Sequence, residues 1–171
     1  MSRFGILFFF VASSVAFAAN SVKPVSVEIR NDQGEKIGTA VLTDLGDHEI
    51  RVSIQASKLT PGQHGIHFHE FGKCEGPDFK TAGGHLNPAK KEHGLKNVLG
   101  PHAGDLPNLD VGSDGTVKAE MTSHQASLRP GAASLLKAGG TALVIHAKAD
   151  DQKTSPSGNS GDRIACGVIG Q

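Results

Sequence analysis

The sequence predicts an all-β fold, an antiparallel Greek-key sandwich or barrel of about eight strands interrupted by two long loops. Three observations predict it. Apolar residues alternate with polar ones at period two in several short runs. No stretch carries an amphipathic helical pattern of any length. The chain holds 22 Gly and 8 Pro in 171 residues, so turns are frequent.

The elements follow in order. Val25, Val27 and Ile29 alternate with polar residues as a half-buried strand, and Asn31-Asp32-Gln33-Gly34 turns the chain. Lys36–Thr43 is a second strand, ended by Leu45-Gly46-Asp47. Ile50, Val52 and Ile54 alternate as a third, broken by Thr60-Pro61-Gly62. Gly65–Phe71 is a fourth. Gly72–Asn108 then loses all periodicity, and an irregular stretch of that length inside one domain usually has a function. Leu109–Val111 and Thr116–Met121 are short strands joined by the hairpin signal Ser113-Asp114-Gly115. Thr141–Ala147 is an apolar strand, Lys148–Gly161 a second polar loop, and Arg163–Ile169 the last strand. No internal repeat is visible.

Met1–Ala18 stands outside this pattern. Arg3 gives a short positive start, Phe4–Val11 is apolar, and Ala16-Phe17-Ala18 is a small-x-small cleavage site. A membrane anchor is the alternative, but the unbroken apolar run falls short of the roughly 20 residues a span needs. The expectation is a cleaved signal peptide, 1–18, and one domain, 19–171, with no membrane span in the mature chain. The whole chain has 17 basic and 17 acidic residues. Loss of Arg3 leaves 16 against 17, a net charge of −1. That balance argues against a general nucleic-acid binder, which needs a basic excess.

Export bears on the two cysteines. In an oxidising compartment a lone pair, Cys74 and Cys166, normally becomes a disulfide; two free buried thiols are the alternative. The chain-entropy model gives such a long loop roughly 4–5 kcal/mol at most.

Nine histidines with two cysteines point to a metal site built from imidazole. His67 and His69 are two apart in a strand and share a face, while Ile66 and Phe68 point to the other. The irregular loop adds His85, His93, His102 and Asp105, and the seventh strand adds His146. His48 and His124 read as solvated, and His64 as structural beside Gly65. Imidazole suits copper and zinc, and three imidazoles with a carboxylate suit tetrahedral zinc. Seven ligands serve two four-coordinate metals only if one is shared, which an imidazolate permits.

The stretches GIHFHEFGKC, TAGGHLNP, KEHG, PHAGDLPN, VIHAKADD and GNSGDRIACGVIG resemble the copper–zinc superoxide dismutase family over essentially the whole mature chain. The resemblance implies an eight-stranded antiparallel Greek-key barrel, an immunoglobulin-like sandwich, with both metals outside it under the two long loops. It implies copper on His67, His69, His85 and His146. It implies zinc on His85, His93, His102 and Asp105, with His85 as bridge and proton carrier. Asp150 takes the place of a carboxylate that links a copper histidine to a zinc histidine; an exposed loop carboxylate is the alternative. Arg163 takes the place of the arginine that attracts the anionic substrate, though alone it reads as a solvated strand end. Cys74 and Cys166 match the family's intrachain disulfide.

The implied reaction is disproportionation: two superoxide anions and two protons give dioxygen and hydrogen peroxide. The loop over 148–162 is shorter than in the eukaryotic enzymes and lacks their charged cluster, so Lys148 and Lys153 need not guide substrate. Its KTSPSGNSG wording and the signal peptide resemble the exported bacterial branch, which implies a periplasmic location. The resemblance leaves a homodimer open. Two rivals remain at this point: a copper or zinc storage protein on the same fold without turnover, and a zinc hydrolase or hydratase with one open metal site.

Overall fold

The computed structural model describes residues 22–46 and 48–170. The expected signal peptide lies outside the described residues, as does Asp47 of the expected second turn. The strands are β1 (Val25–Asn31), β2 (Lys36–Gly46), β3 (Glu49–Ala56), β4 (Gly62–His64), β5 (Ile66–His69), β6 (Leu109–Val111), β7 (Val117–Ser123), β8 (Thr141–His146) and β9 (Arg163–Ile169). The only helical element among the described residues is a short 3-10 turn at Lys80–Ala82. None of them forms a helix long and apolar enough to cross a membrane.

Seven strands form one antiparallel sheet in the order β5-β8-β9-β1-β2-β3-β7. The run β9-β1-β2-β3 is the Greek-key order, three consecutive strands with a late one returned beside the first. β4 and β6 pair as a separate ribbon. β4 leads into the edge strand β5, and β6 is joined to the other edge strand β7 by the 112–116 turn, where Gly112 N–H donates to Thr116 O at 2.9 Å. The ribbon therefore spans the two edges of the curled sheet, although hydrogen bonding is not continuous around the barrel.

The expected fourth strand ran from Gly65, and the structure adds β4 just before it. Gly65 is where the chain leaves one sheet for the other. Its N–H donates to Lys148 O and its carbonyl accepts from His146 N–H, both at 2.8 Å. A Cβ here would lie 2.8 Å from Ser160 Cβ, so only glycine fits.

The alternation seen in the sequence builds the core. Val27, Ile29, Leu42, Ile50, Val52, Phe68, Leu143 and Ile145 point inward and are fully buried. Register places Phe68 opposite Leu143 and Ile66 opposite Ile145 on the inner face. The same pairing places His67 opposite Val144 and His69 opposite Ala142 on the outer face. Yet β5 and β8 are buried on both faces. A second apolar cluster covers the outer one: Phe79 and Ala82 from the irregular loop pack on Ala142, Val144 and Cys166, with Cys74 beside them. The disulfide Cys74–Cys166, Cα to Cα 5.6 Å, ties that loop to β9.

Candidate metal centre

β5 is an edge strand of the large sheet, so one row of its backbone groups needs partners. The irregular loop supplies them. Phe68 N–H donates to Gly104 O at 2.9 Å, and Leu86 N–H donates to Phe68 O at 2.8 Å. Gly104 N–H in turn donates to Leu86 O at 2.9 Å. Gly104 is pressed against the strand; a Cβ would sit 2.1 Å from Phe68 O. The neighbours of these two loop residues, His85 and Asp105, therefore land beside His69 and His67.

Four buried imidazoles each have one nitrogen occupied and one without a hydrogen-bond partner. His67 Nε2 meets Asp150 Oδ2 at 2.8 Å, His69 Nδ1 donates to Gly83 O at 3.0 Å, and His146 Nδ1 donates to Gly161 O at 3.1 Å. His85 Nδ1 lies 3.0 Å from Asp105 Oδ1. The remaining atoms, His67 Nδ1, His69 Nε2, His85 Nε2 and His146 Nε2, are buried and unpartnered. One donor from each of these residues lies within 4.8 Å of the others. Bonding the outer nitrogen fixes which nitrogen points its lone pair inward, as metal-binding histidines require. Stranded buried nitrogens are costly unless something binds them.

A second set adjoins it. Asp105 Oδ1 lies 3.0 Å from His85 Nδ1, 3.0 Å from His93 Nδ1 and 3.3 Å from His102 Nδ1. His102 Nδ1 is 3.4 Å from His85 Nδ1. Four donors placed tetrahedrally at 2.0–2.1 Å from one ion are roughly 3.3 Å apart, so these spacings fit a single tetrahedral site. His67 also comes within 4.8 Å of His85, His93 and Asp105, but its Nε2 is committed to Asp150. His85 belongs to both sets, with Nε2 in one and Nδ1 in the other. Asp105 Oδ2 accepts the backbone N–H of Gly94 at 2.8 Å and of His102 at 2.9 Å, which leaves Oδ1 for the second set.

Asp150 joins the two sets. Its carboxylate meets His67 Nε2 at 2.8 Å and His93 Nε2 at 3.0 Å. The Asn108 side chain clamps the Asp150 backbone, donating to its carbonyl and accepting its N–H, both at 2.9 Å. Nothing in the sequence singles out Asn108, because an amide in a loop carries no signal of its partners. Asp150 is buried, so the exposed-carboxylate alternative does not hold. His64 is buried between the carbonyls of His146 and Thr60, both at 2.7 Å, which suits its expected structural place. His48 and His124 are exposed and away from the centre.

Arg163 stands opposite His146 in the β8–β9 register, next to an irregularity between Ile145 and His146. Its guanidinium donates to Phe79 O at 2.8 Å and to Gly83 O at 2.7 Å. Gly83 O thus receives both Arg163 and His69. Gly83 has φ +75° and no room for a Cβ, which would meet Glu70 Cγ at 2.6 Å. Lys148 and Lys153 are exposed.

The electrostatics of the metal-free chain divide the centre. Burial pushes the His67 imidazole down to about 3, against the pull of Asp150. Burial likewise takes His146 to about 4 and holds His69 and His85 below their ordinary value. These rings are neutral at pH 7, with lone pairs free. His93 is the opposite case: burial opposes its charge, but Asp105 and Asp150 outweigh it and raise the ring to about 9. Both carboxylates are held well below the usual range by these imidazoles, despite burial.

Fold and donors together define a class: a Greek-key β-barrel protein with two adjoining donor sets on its outer face that share His85 and could hold metal ions. Residues 36–169 match the copper/zinc superoxide dismutase (SODC) family, and the chain belongs to it. It is 49% identical over 144 residues to superoxide dismutase [Cu-Zn] 1 of Aquifex aeolicus, covering 83% of this chain and 85% of that protein. It is 42% identical over 144 residues to superoxide dismutase [Cu-Zn] of Caulobacter vibrioides, covering 82% of each. The crystal structure of a double mutant of a SOD-like protein from Bacillus subtilis superposes with a TM-score of 0.82 at 44% identity, covering 85% of this chain and 97% of that one. As a family member the chain is an oxidoreductase that disproportionates superoxide, with copper and zinc as its cofactors.

A stability profile follows for the metal-free protein. The unfolded chain protonates His67 and His146 near pH 6.5, the folded one only near 3 and 4. Stability should therefore fall as pH drops below about 6.5, by up to about 1.4 kcal/mol per pH unit for each ring. His93 has the other sign: its contribution is present below about 6.5 and is lost as pH rises toward about 9. Urea unfolding of the metal-free protein should show greatest stability near pH 6.5, and a flat profile between pH 4 and 9 would contradict this.

Proposed function

We propose that the chain disproportionates superoxide at one histidine-bridged centre, with copper held by His67, His69, His85 and His146 and zinc by His85, His93, His102 and Asp105. The observation that carries this reading is the four unpartnered buried nitrogens on histidines whose donors gather within 4.8 Å of one another, beside a tetrahedrally spaced set that uses the other nitrogen of His85. Copper, when bound, supplies one-electron chemistry, and zinc supplies a fixed charge without redox change.

The residues divide the remaining work. Arg163 attracts the anion and orients it, because its fork of donors is fixed by two backbone carbonyls. His85 Nε2, the atom assigned to the copper side, would carry one of the two protons to the reduced product, and solvent would supply the other. Asp150 orients His67 and His93, and Asp105 gathers the zinc side. Two superoxide anions and two protons leave as dioxygen and hydrogen peroxide. A storage role without turnover would need neither a shared histidine nor an arginine beside the donors. A single open hydrolytic zinc is disfavoured because it would leave the His67, His69 and His146 nitrogens stranded.

Place of action belongs to the same proposal. The Cys74–Cys166 disulfide suits an oxidising compartment, and Met1–Ala18 has the signal-peptide pattern, so the periplasm is proposed. Intact mass of the exported protein should begin at Ala19; a mass retaining Met1–Ala18 would count against cleavage.

Metal analysis of purified protein should find one copper and one zinc per chain. His69→Ala should lose copper and nearly all activity while keeping most zinc. His93→Ala should lose zinc first. Full activity in His69→Ala would overturn the copper assignment.

Guidance by Arg163 is testable by salt. The mature chain has a net charge of −1, so attraction of an anion must be local. A focused positive cleft raises association by roughly 10- to 1000-fold. The screening length falls from ~30 Å at 0.01 M salt to ~10 Å at 0.1 M, so guidance should fade over that range. Arg163→Glu should lower the second-order rate by about tenfold or more at low salt with both metals bound, and Arg163→Lys by less. Pulse radiolysis across ionic strength checks both, and a fully loaded Arg163→Glu matching wild type would remove Arg163 from this role.

A further inference from the structure

We propose that Gln152 is a positioning residue for the zinc side of the centre, fastening the chain just after His93 to the chain just after Asp105 and to Asp150. The proposal rests on His93 and Asp105 being zinc ligands.

Both ligands sit on a largely irregular loop; Asp105 Oδ2 ties it to Gly94 N–H from within, and Gln152 adds a fastening from outside. Gln152 makes four bonds to that end. Its side-chain Oε1 accepts from Leu95 N–H at 3.4 Å, and its Nε2 donates to Leu106 O at 3.1 Å. Its backbone carbonyl accepts from Lys96 N–H at 3.0 Å, and its N–H donates to Asp150 Oδ1 at 2.6 Å. Leu95 is two residues beyond His93, and Leu106 follows Asp105 directly. One side chain therefore spans the loop at both ligands. The next residue continues the seam, where Lys153 O accepts from Asn97 Nδ2 at 3.1 Å.

Three features separate this from an ordinary loop contact. Gln152 is only 6% exposed, and a buried amide is kept only where its donors and acceptors are matched. The amide is used in both senses, accepting on one side and donating on the other, which neither a carboxylate nor an apolar chain can reproduce. Gln152 also holds φ +64°, in the left-handed region where glycine is relaxed and a glutamine is strained. The strained residue thus supplies a side chain that a relaxed glycine could not. Gly94 completes the fit, since a Cβ there would lie 2.1 Å from Gln152 O.

Gln152 touches neither metal nor substrate. It acts through His93, Asp105 and Asp150, as outer partners of metal ligands do, where loss of one typically changes metal affinity by roughly 10- to 100-fold.

The test uses two variants of the full mature protein loaded with copper and zinc. Gln152→Gly removes the side chain while relieving the backbone. Gln152→Glu keeps the acceptor, loses the donor to Leu106 O, and adds a charge beside Asp150. Zinc transfer to a chromogenic chelator should be roughly tenfold faster in both, with copper content unchanged. With cobalt(II) in place of zinc, the visible spectrum should shift in both variants, and Gln152→Gly should melt no lower than wild type when metal-free. Zinc release within about twofold of wild type in both variants would overturn the proposal. So would parallel loss of copper and zinc with lowered metal-free melting in Gln152→Gly, which would mark a general packing role. His93→Ala is the control: if it releases zinc as slowly as wild type, the ligand assignment itself fails, and the role of Gln152 with it.

Discussion

The centre depends on the two open backbone groups of Phe68. β5 lies at the edge of the seven-stranded sheet, and Phe68 is the residue whose N–H and carbonyl the loop must satisfy. Gly104 and Leu86 do so, and they also bond each other. That small closed set of hydrogen bonds converts a loop with no periodicity into a third partner of the strand. It places His85 and Asp105 against His67 and His69 within the tolerance a metal site needs. The Phe68 side chain anchors the same residue from the other face, fully buried against the core. Loss of Phe68 packing would therefore reach the donors through the backbone rather than by contact.

A second chain of dependence runs through the disulfide. Cys74–Cys166 and the packing of Phe79 and Ala82 on Val144 hold the 74–83 segment over the outer face of β8. That fixes the Phe79 and Gly83 carbonyls, which between them hold Arg163 and His69. Arg163 and the His69 ring thus share an acceptor. Their relative position is set by one carbonyl at a glycine where no side chain fits. A single covalent link accordingly holds the segment that positions both the Arg163 guanidinium and the His69 ring.

The cluster is also a conflict that the fold tolerates for chemistry. A hydrophobic isostere at each buried imidazole would leave no nitrogen stranded and would not penalise folding at low pH. The chain instead keeps four rings neutral by burial and one charged by two carboxylates. Neutral rings suit direct donation to a metal. The protonated ring stands where a cation belongs, between Asp105 and Asp150, so a bound dication would replace a charge already accommodated there.

Much of this was legible in the residues themselves. The period-two runs mark the strands, and the alternation in Ile66-His67-Phe68-His69 assigns two histidines to one face, because side-chain direction along a strand is a local property. The count of imidazoles in one irregular stretch announces a metal, and the order of the motifs carries the family. The extra strand β4 was not legible, since the break at Gly65 is marked by backbone bonds to His146 and Lys148, more than 80 positions away. Nor were the backbone carbonyls that orient His69 and His146, the clamp of Asn108 on Asp150, or the strap at Gln152. Apart from the short Gln152–Asp150 bond, those are contacts between residues 14 to 57 positions apart, each with a backbone group on one side that every sequence possesses. Sequence therefore determined which groups could bind metal and on which face of a strand they stand. Tertiary structure alone decided which nitrogen of each ring is left free, because that depends on which distant carbonyl or carboxylate occupies the other.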